Sequence, residues 1–220
     1  MAGSVSELEV LWRRALYLRR HAPKRKGRTE LLALGSGLWP ALWFVTDPAR
    51  VLDVLAAAQS LPPGCGIVYR GFGRPEAQAE AQGLADIARR RRLVLLIGLD
   101  DRLALAVGAH GVHLPERDMV RARSLRRRHP DWIITCATHS SRAIWAAGQA
   151  GVDAVFLSAV FPSNSPSAGR ALGPPRFAAL ARASKVPVFA LGGVRKATIA
   201  RLNNTGAAGV AAVEGIVSKR

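Results

Sequence analysis

"FALGGVRKATIARLNNTGAAGVAAVEGI", Phe189 to Ile216, is the stretch whose reading decides the fold. An apolar run stops at Gly192-Gly193, a short helical pattern follows, and the chain enters a second apolar run, "GVAAVEGI" (209–216). Apolar runs without polar alternation are strands buried on both faces, and two such strands joined through a helix lie parallel.

Outward from this unit the same grammar repeats. Upstream lie "ALWFVTD" (41–47), "CGIVYR" (65–70), "LVLLIGL" (93–99), "GVHL" (111–114), "WIITCAT" (132–138), "DAVFLSAVF" (153–161) and "VPVFALGG" (186–193), which with the last run make eight predicted strands. Amphipathic patterns such as "PEAQAEAQGLADIARRRR" and "GPPRFAALARASK" separate them, with proline near the first turn, where its missing N–H costs nothing. Eight strand–helix units predict an α/β fold, a single-domain (β/α)8 TIM barrel; an open doubly wound sheet is the alternative.

Ahead of the first strand, Leu8, Leu11, Trp12, Ala15, Leu16 and Leu18 fall at helical spacing within residues 6–20, and the basic segment "HAPKRKGR" follows. Residues 1–38 therefore read as an N-terminal basic helical extension and exposed linker, and 39–220 as the barrel. The helix is expected to dock on the barrel or across a homodimer, although a basic amphipathic helix also suits a membrane surface or nucleic acid.

The formal net charge is +17 over 220 residues, and 49% of the residues are apolar, enough for a sizeable core. Such charge favours anionic ligands, but the arginines are spread along helical patterns ("ARRRR", 88–92; "RARSLRRRH", 121–129), as on solvated helix faces. No nucleic-acid-binding module is recognisable and few aromatics interleave with the bases, so nucleic acid is not expected as a partner. Cys65 and Cys136 show neither metal spacing nor a disulfide framework, and no apolar run reaches membrane-spanning length. A cytoplasmic protein is expected.

In a barrel, chemistry belongs at the C-terminal strand ends. Those ends hold Thr46 and Asp47, Arg70, Asp100 and Asp101, His113 with Asp118 behind it, Thr138 and His139, the loop Phe161 to Arg170, Gly192-Gly193, and Glu214-Gly215. Glycines after the seventh and eighth strands suit phosphate held by backbone N–H groups and a helix N-terminus, the reading their position favours; a tight turn needing positive φ is the alternative. Asp101 and Asp118 can share a Mg2+ ion or cap helices. His113, inside an apolar run, reads as a hydrogen-bonded core histidine, and His139 as the acid/base candidate.

Taken together, these motifs resemble the thiamine phosphate synthase and TenI (thiazole tautomerase) superfamily from about Leu42 to Val217. "DDRLALAVGAHGVHLPERD" is similar to its "NDRxDLAxxxGADGVHLGQxD", "ATHSSRAIWAAGQAGVDAVFLSAVFPS" to its "STHxxEExxxAxxxGADYxxxGPVFPT", and "VPVFALGGV…GAAGVAAVEGI" to its "IPVxAIGGI…GAxGVAVxSxI". The resemblance implies a transferase of thiamine biosynthesis, in which a pyrimidine diphosphate held through Mg2+ loses pyrophosphate and the cation formed is captured by the nitrogen of a thiazole phosphate. It implies Asp101 and Asp118 as metal carboxylates, Arg70 as catalytic cation, and Ser163, Ser165, Arg170, Gly192, Gly193, Glu214 and Gly215 around the phosphates, with Lys196 a further diphosphate partner.

The chain departs from the family pattern where the "LRxK" lysine becomes Phe72, the asparagine before the metal carboxylate Asp100, the serine of "STH" Ala137, and "GQ" Pro115-Glu116. In the "TxTK" loop, read here as "SNSP", the lysine becomes Pro166, and a phosphate-facing serine becomes Glu214, a negative charge where a phosphate is expected unless Arg195 or Lys196 neutralises it. Each lost cation weakens the hold on a departing diphosphate. Two alternatives stay open: a TenI-like tautomerase with His139 as proton shuttle, and a catalytically degenerate barrel that only binds phosphate ligands.

Overall fold

The structure is a computed structural model that describes residues 5–23, 39–71, 73–165 and 169–216. Phe72, Pro166 and most of the expected linker lie outside the described residues.

Eight parallel strands close on themselves in sequence order: β1 Leu42–Val45, β2 Gly66–Tyr69, β3 Val94–Gly98, β4 Gly111–Leu114, β5 Ile133–Thr138, β6 Ala154–Leu157, β7 Val188–Ala190 and β8 Gly209–Ala212. Pairing of β1 with β8, Phe44 opposite Ala212, excludes the open sheet. Several predicted runs overshoot their strands. "DAVFLSAVF" leaves the sheet after Leu157, and "GVAAVEGI" after Ala212, where Glu214–Ile216 forms a 3-10 turn. The first remainder is apolar because Ala159, Val160 and Phe161 pack as buried loop, a case that periodicity does not separate from strand.

The interior is filled by aromatic and branched side chains. Trp43, Phe156 and Phe189 meet with ring centroids 5.4 to 5.9 Å apart, among Val45, Val68, Val94 and Leu96. Gly66 makes room for this cluster: a Cβ there would lie 2.1 Å from the Trp43 ring.

The outer layer comprises α2 Val54–Ser60, α3 Ala77–Arg91, α4 Asp101–Ala106, α5 Ala122–Arg128, α6 Ser141–Gln149 and α7 Gly173–Ala183, preceded in sequence by α1 Glu7–His21. Arginines crowd the last turns of α3 and α5, where they complement the negative end of the helix dipole. The helix expected between β7 and β8 is only a four-residue 3-10 turn, Ile199–Leu202.

At that thin place α1 packs. Ser6 caps its start by accepting the Glu9 N–H, and Leu11, Ala15 and Leu18 are buried against β8, β1 and the turns at 199–202 and 214–216. The Arg19 guanidinium donates to the Trp39 carbonyl, 2.9 Å away just before β1, while Glu7 lies beside the loop after β7. The helix thus runs the height of the barrel, antiparallel to the strands. Among the described residues, no helix is long and apolar enough to cross a membrane.

His113 on β4 is buried inside the barrel, its Nδ1 2.8 Å from Thr135 Oγ1 and its ring 4.8 Å from that of Phe156. Burial, with the Arg70 charge adding to it, pushes its pKa from 6.5 to about 3, so the folded protein holds it neutral. Between those values the unfolded chain binds a proton that the folded chain refuses, and stability therefore falls as pH falls through that window. Urea midpoints measured from neutral pH downward should drop, and His113→Gln should make the drop shallower; identical pH slopes would show that His113 has no part in it.

Candidate active site

A cavity of about 530 Å3 opens at the C-terminal ends of the strands, on the side formed by β6, β7, β8, β1 and β2. Its basic wall is organised by Asp47, which follows β1. Arg50 reaches back to it, Nε 2.9 Å and Nη2 2.6 Å from Oδ2, and Arg70, just past β2, places Nη2 3.3 Å from the same oxygen. Arg70 is held further by the Thr46 carbonyl, which accepts its Nε–H at 2.7 Å, and by Thr46 Oγ1, which accepts its backbone N–H at 2.9 Å. Partial burial alone would raise the Asp47 pKa, but the Arg50 hydrogen bond, the Ala49 amide and the two guanidinium charges outweigh it and hold the carboxyl below its ordinary value.

Arg50 was not singled out in the sequence. Its signal was available in retrospect: an arginine three residues after a strand-end aspartate can fold back onto that carboxylate.

Opposite lie Gly192 and Gly193, with φ of +91° and +64°. A Cβ on Gly192 would stand 2.8 Å from Ala159 Cα, and one on Gly193 2.4 Å from the Pro162 carbonyl oxygen. The pair therefore lets the β7 loop turn sharply against the β6 loop, and the tight-turn explanation holds. In the loop that follows, the Gly193 carbonyl accepts from Thr198 Oγ1, which itself accepts the Arg195 N–H at 3.0 Å. The turn after this loop is too short to offer the expected helix N-terminus.

Glu214 heads the turn after β8, its Oε1 3.6 Å from Arg50 Nη1. The cation beside it is thus Arg50, rather than Arg195 or Lys196. Gly215 follows in the same turn. Ser163 and Ser165 line the cavity with Asn164 between them, and Ser163 Oγ accepts the Ser165 N–H at 3.3 Å.

The structure thus brings together Arg70, Ser163, Ser165, Gly192, Gly193 and Glu214, while Asp101, Asp118, His139 and Arg170 lie outside the cavity wall. The cap of α4 is Asp100, which accepts the Leu103 N–H, so replacing the family's asparagine keeps a capping side chain. Asp101 is free of that duty but engaged otherwise: Oδ1 is 2.7 Å from Arg121 Nη2, and Oδ2 is 3.1 Å from Arg128 Nη2. Burial works against its ionisation, and a backbone amide and these arginines more than offset that, so its pKa lies below the ordinary value. Asp118 sits in the 3-10 turn Glu116–Arg121 with Oδ2 3.4 Å from Arg117 Nε, and caps nothing. His139, past β5, is half-exposed; Glu116 Oε2 accepts its backbone N–H at 2.9 Å and lies 2.7 Å from Nδ1.

Residues 42–216 match the model of the family described as "Thiamine monophosphate synthase". The chain belongs to this family. It is 34% identical over 203 residues to a bifunctional thiamine biosynthesis protein ThiM/ThiE of Symbiobacterium thermophilum, covering 90% of this chain but only 39% of that longer protein. To a putative thiamine-phosphate synthase of Geobacter sulfurreducens it is 34% identical, covering 81% of this chain and 87% of the relative. To a thiamine-phosphate synthase of Thioalkalivibrio sulfidiphilus it is 35% identical, with 81% and 88% covered. A solved thiamine phosphate pyrophosphorylase from Pyrococcus furiosus shares the barrel, with a TM-score of 0.69 at 24% identity over 78% of this chain and 84% of that one.

Because Gly193 combines positive φ with a carbonyl oxygen at contact distance, Gly193→Ala should destabilise the fold by about 1–3 kcal/mol. Urea denaturation of the two proteins measures this; an unchanged midpoint would mean that the loop relaxes freely.

Proposed function

We propose that the protein joins a pyrimidine diphosphate to a thiazole phosphate with loss of pyrophosphate, the thiamine phosphate synthase reaction. The observation that carries this reading is the cavity itself, in which Arg70 and Arg50, posed by one carboxylate, face the Gly192-Gly193 turn across the mouth of a thiamine monophosphate synthase barrel.

The C–O bond between the pyrimidine methylene and its diphosphate breaks, and the electron pair leaves with pyrophosphate. The thiazole nitrogen lone pair then forms the new C–N bond to the methylene carbon. Charge grows on the departing oxygens, so fixed guanidinium groups stabilise the transition state more than the ground state. Arg70 and Arg50 serve the leaving diphosphate in this reading, and their shared hold on Asp47 keeps both forks in place without reorganisation. Ser163 and Ser165 offer hydroxyls at the same wall, and the Gly192-Gly193 turn allows backbone approach to the thiazole phosphate.

Mg2+ would supply further positive charge to such a leaving group. As arranged, the residues do not fit it. Both Asp101 oxygens face guanidinium groups, Asp118 is paired with Arg117, and no cluster of three or more His, Cys, Asp or Glu able to hold a metal occurs among the described residues. A metal at Asp101 would have to displace Arg121 and Arg128.

Incubating the protein with both substrates and Mg2+ should yield thiamine phosphate, and Arg70→Ala should lower its rate about 100-fold or more. Absence of product at high protein concentration would sink the reading.

One observation favours a second reading, a thiazole tautomerase. The Glu116 carboxylate fixes the ring of His139, and with Nδ1–H donated to it, Nε2 is the atom left to take and return a proton. His139→Ala should abolish conversion between thiazole tautomers followed by NMR; unchanged conversion would dismiss it.

A further inference from the structure

The cavity contradicts the charge of the chain around it. The protein carries +17, yet the cavity lined by Arg50, Arg70 and Arg195 is also lined by the acids Glu7 and Glu214, and Asp47 bridges Arg50 and Arg70. Asp47 and Glu214 belong to barrel loops. Glu7 does not: it lies on α1, and its Oε1 accepts the N–H of Lys196, 3.1 Å away and 189 residues along the chain. That amide belongs to the loop that starts at Gly192-Gly193, the place where an anionic ligand would look for main-chain donors. The neighbouring Arg195 N–H is already taken by Thr198 Oγ1. A carboxylate on a main-chain N–H at the edge of a cavity lined by arginines is held as a bound anion would be.

We propose that Glu7 sets the anion affinity of the cavity: the N-terminal helix supplies an internal carboxylate that a phosphate-bearing ligand must displace from the β7 loop. This rests on reading the cavity as the seat of phosphorylated substrates. The chain provides its own competitor, so anions that bring little charge are held off, whereas a phosphate ester that gathers Arg50, Arg195 and the loop amides together displaces Glu7 and loosens the first turn of α1.

The test uses the full chain and inorganic phosphate as probe, titrated calorimetrically into the wild type, Glu7→Gln and Glu9→Gln. Glu9 is the control: it lies in the same turn and carries the same charge, but pairs with Arg13 and does not line the cavity. Glu7→Gln should bind phosphate about three- to tenfold more tightly, and Glu9→Gln should match the wild type. In the wild type, saturating phosphate should also speed hydrogen exchange in the first turn of α1. Equal affinities for all three proteins, an equal gain in Glu9→Gln, or no phosphate binding by any of them would overturn the proposal. Formation of thiamine phosphate is scored separately. Product without a gain in Glu7→Gln removes the role of Glu7 alone, and a gain without product removes the proposed reaction alone.

Discussion

Every strand of a closed parallel barrel has an outward face that must be covered, and a gap in the outer layer leaves apolar surface in water. In this protein the connection after β7 holds only a 3-10 turn, and so does the segment after β8 within the described residues. The N-terminal helix answers that constraint. With Leu11, Ala15 and Leu18 fully or nearly buried, α1 stands where the missing outer helix would be, each leucine contributing about 1.5–3 kcal/mol of burial. From this placement follows the presence of Glu7 at the functional mouth, because a helix running the height of the barrel must put one end there.

The same economy governs the charges. Arg50 and Arg70 converge on one Asp47 oxygen, and Arg50 approaches Glu214 as well. The glutamate that replaces a phosphate-facing serine is thereby partnered within the cavity wall, and the lysines replaced by Phe72 and Pro166 have a candidate successor in an arginine from a different loop. Glu214 and Arg50 stand on facing loops, those after β8 and β1, which are neighbours only because the barrel closes.

Much was legible from residues alone. Two-face burial writes itself as continuous apolar runs, so all eight strands could be placed, and glycines at positive φ marked the β7 turn where a Cβ would strike the β6 loop. Strand ends were less legible: after Leu157 the chain stays apolar because Ala159, Val160 and Phe161 remain buried as loop, and composition reports burial rather than pairing. The site was legible in part. Arg70 reached the cavity because it directly follows β2, and Ser163 and Ser165 because they lie in the loop after β6, whereas Asp101 turned to Arg121 and Arg128, arginines distant in sequence that no spacing rule connects to it.

The sequence by itself determined eight parallel strand–helix units and the end at which chemistry belongs, because these depend on periodicity and on the chirality of βαβ units, which are local properties, whereas the pairing of β1 with β8 closed them into a barrel. Only the tertiary structure decided which charges meet: Glu7 with the Lys196 amide, Arg50 with both Asp47 and Glu214, Glu116 with His139. Of these contacts only Arg50 with Asp47 is local. The others join residues far apart in the chain, and it is closure of the sheet and packing of α1 against it, rather than any pattern along the sequence, that brings such side chains within hydrogen-bonding or ion-pair reach.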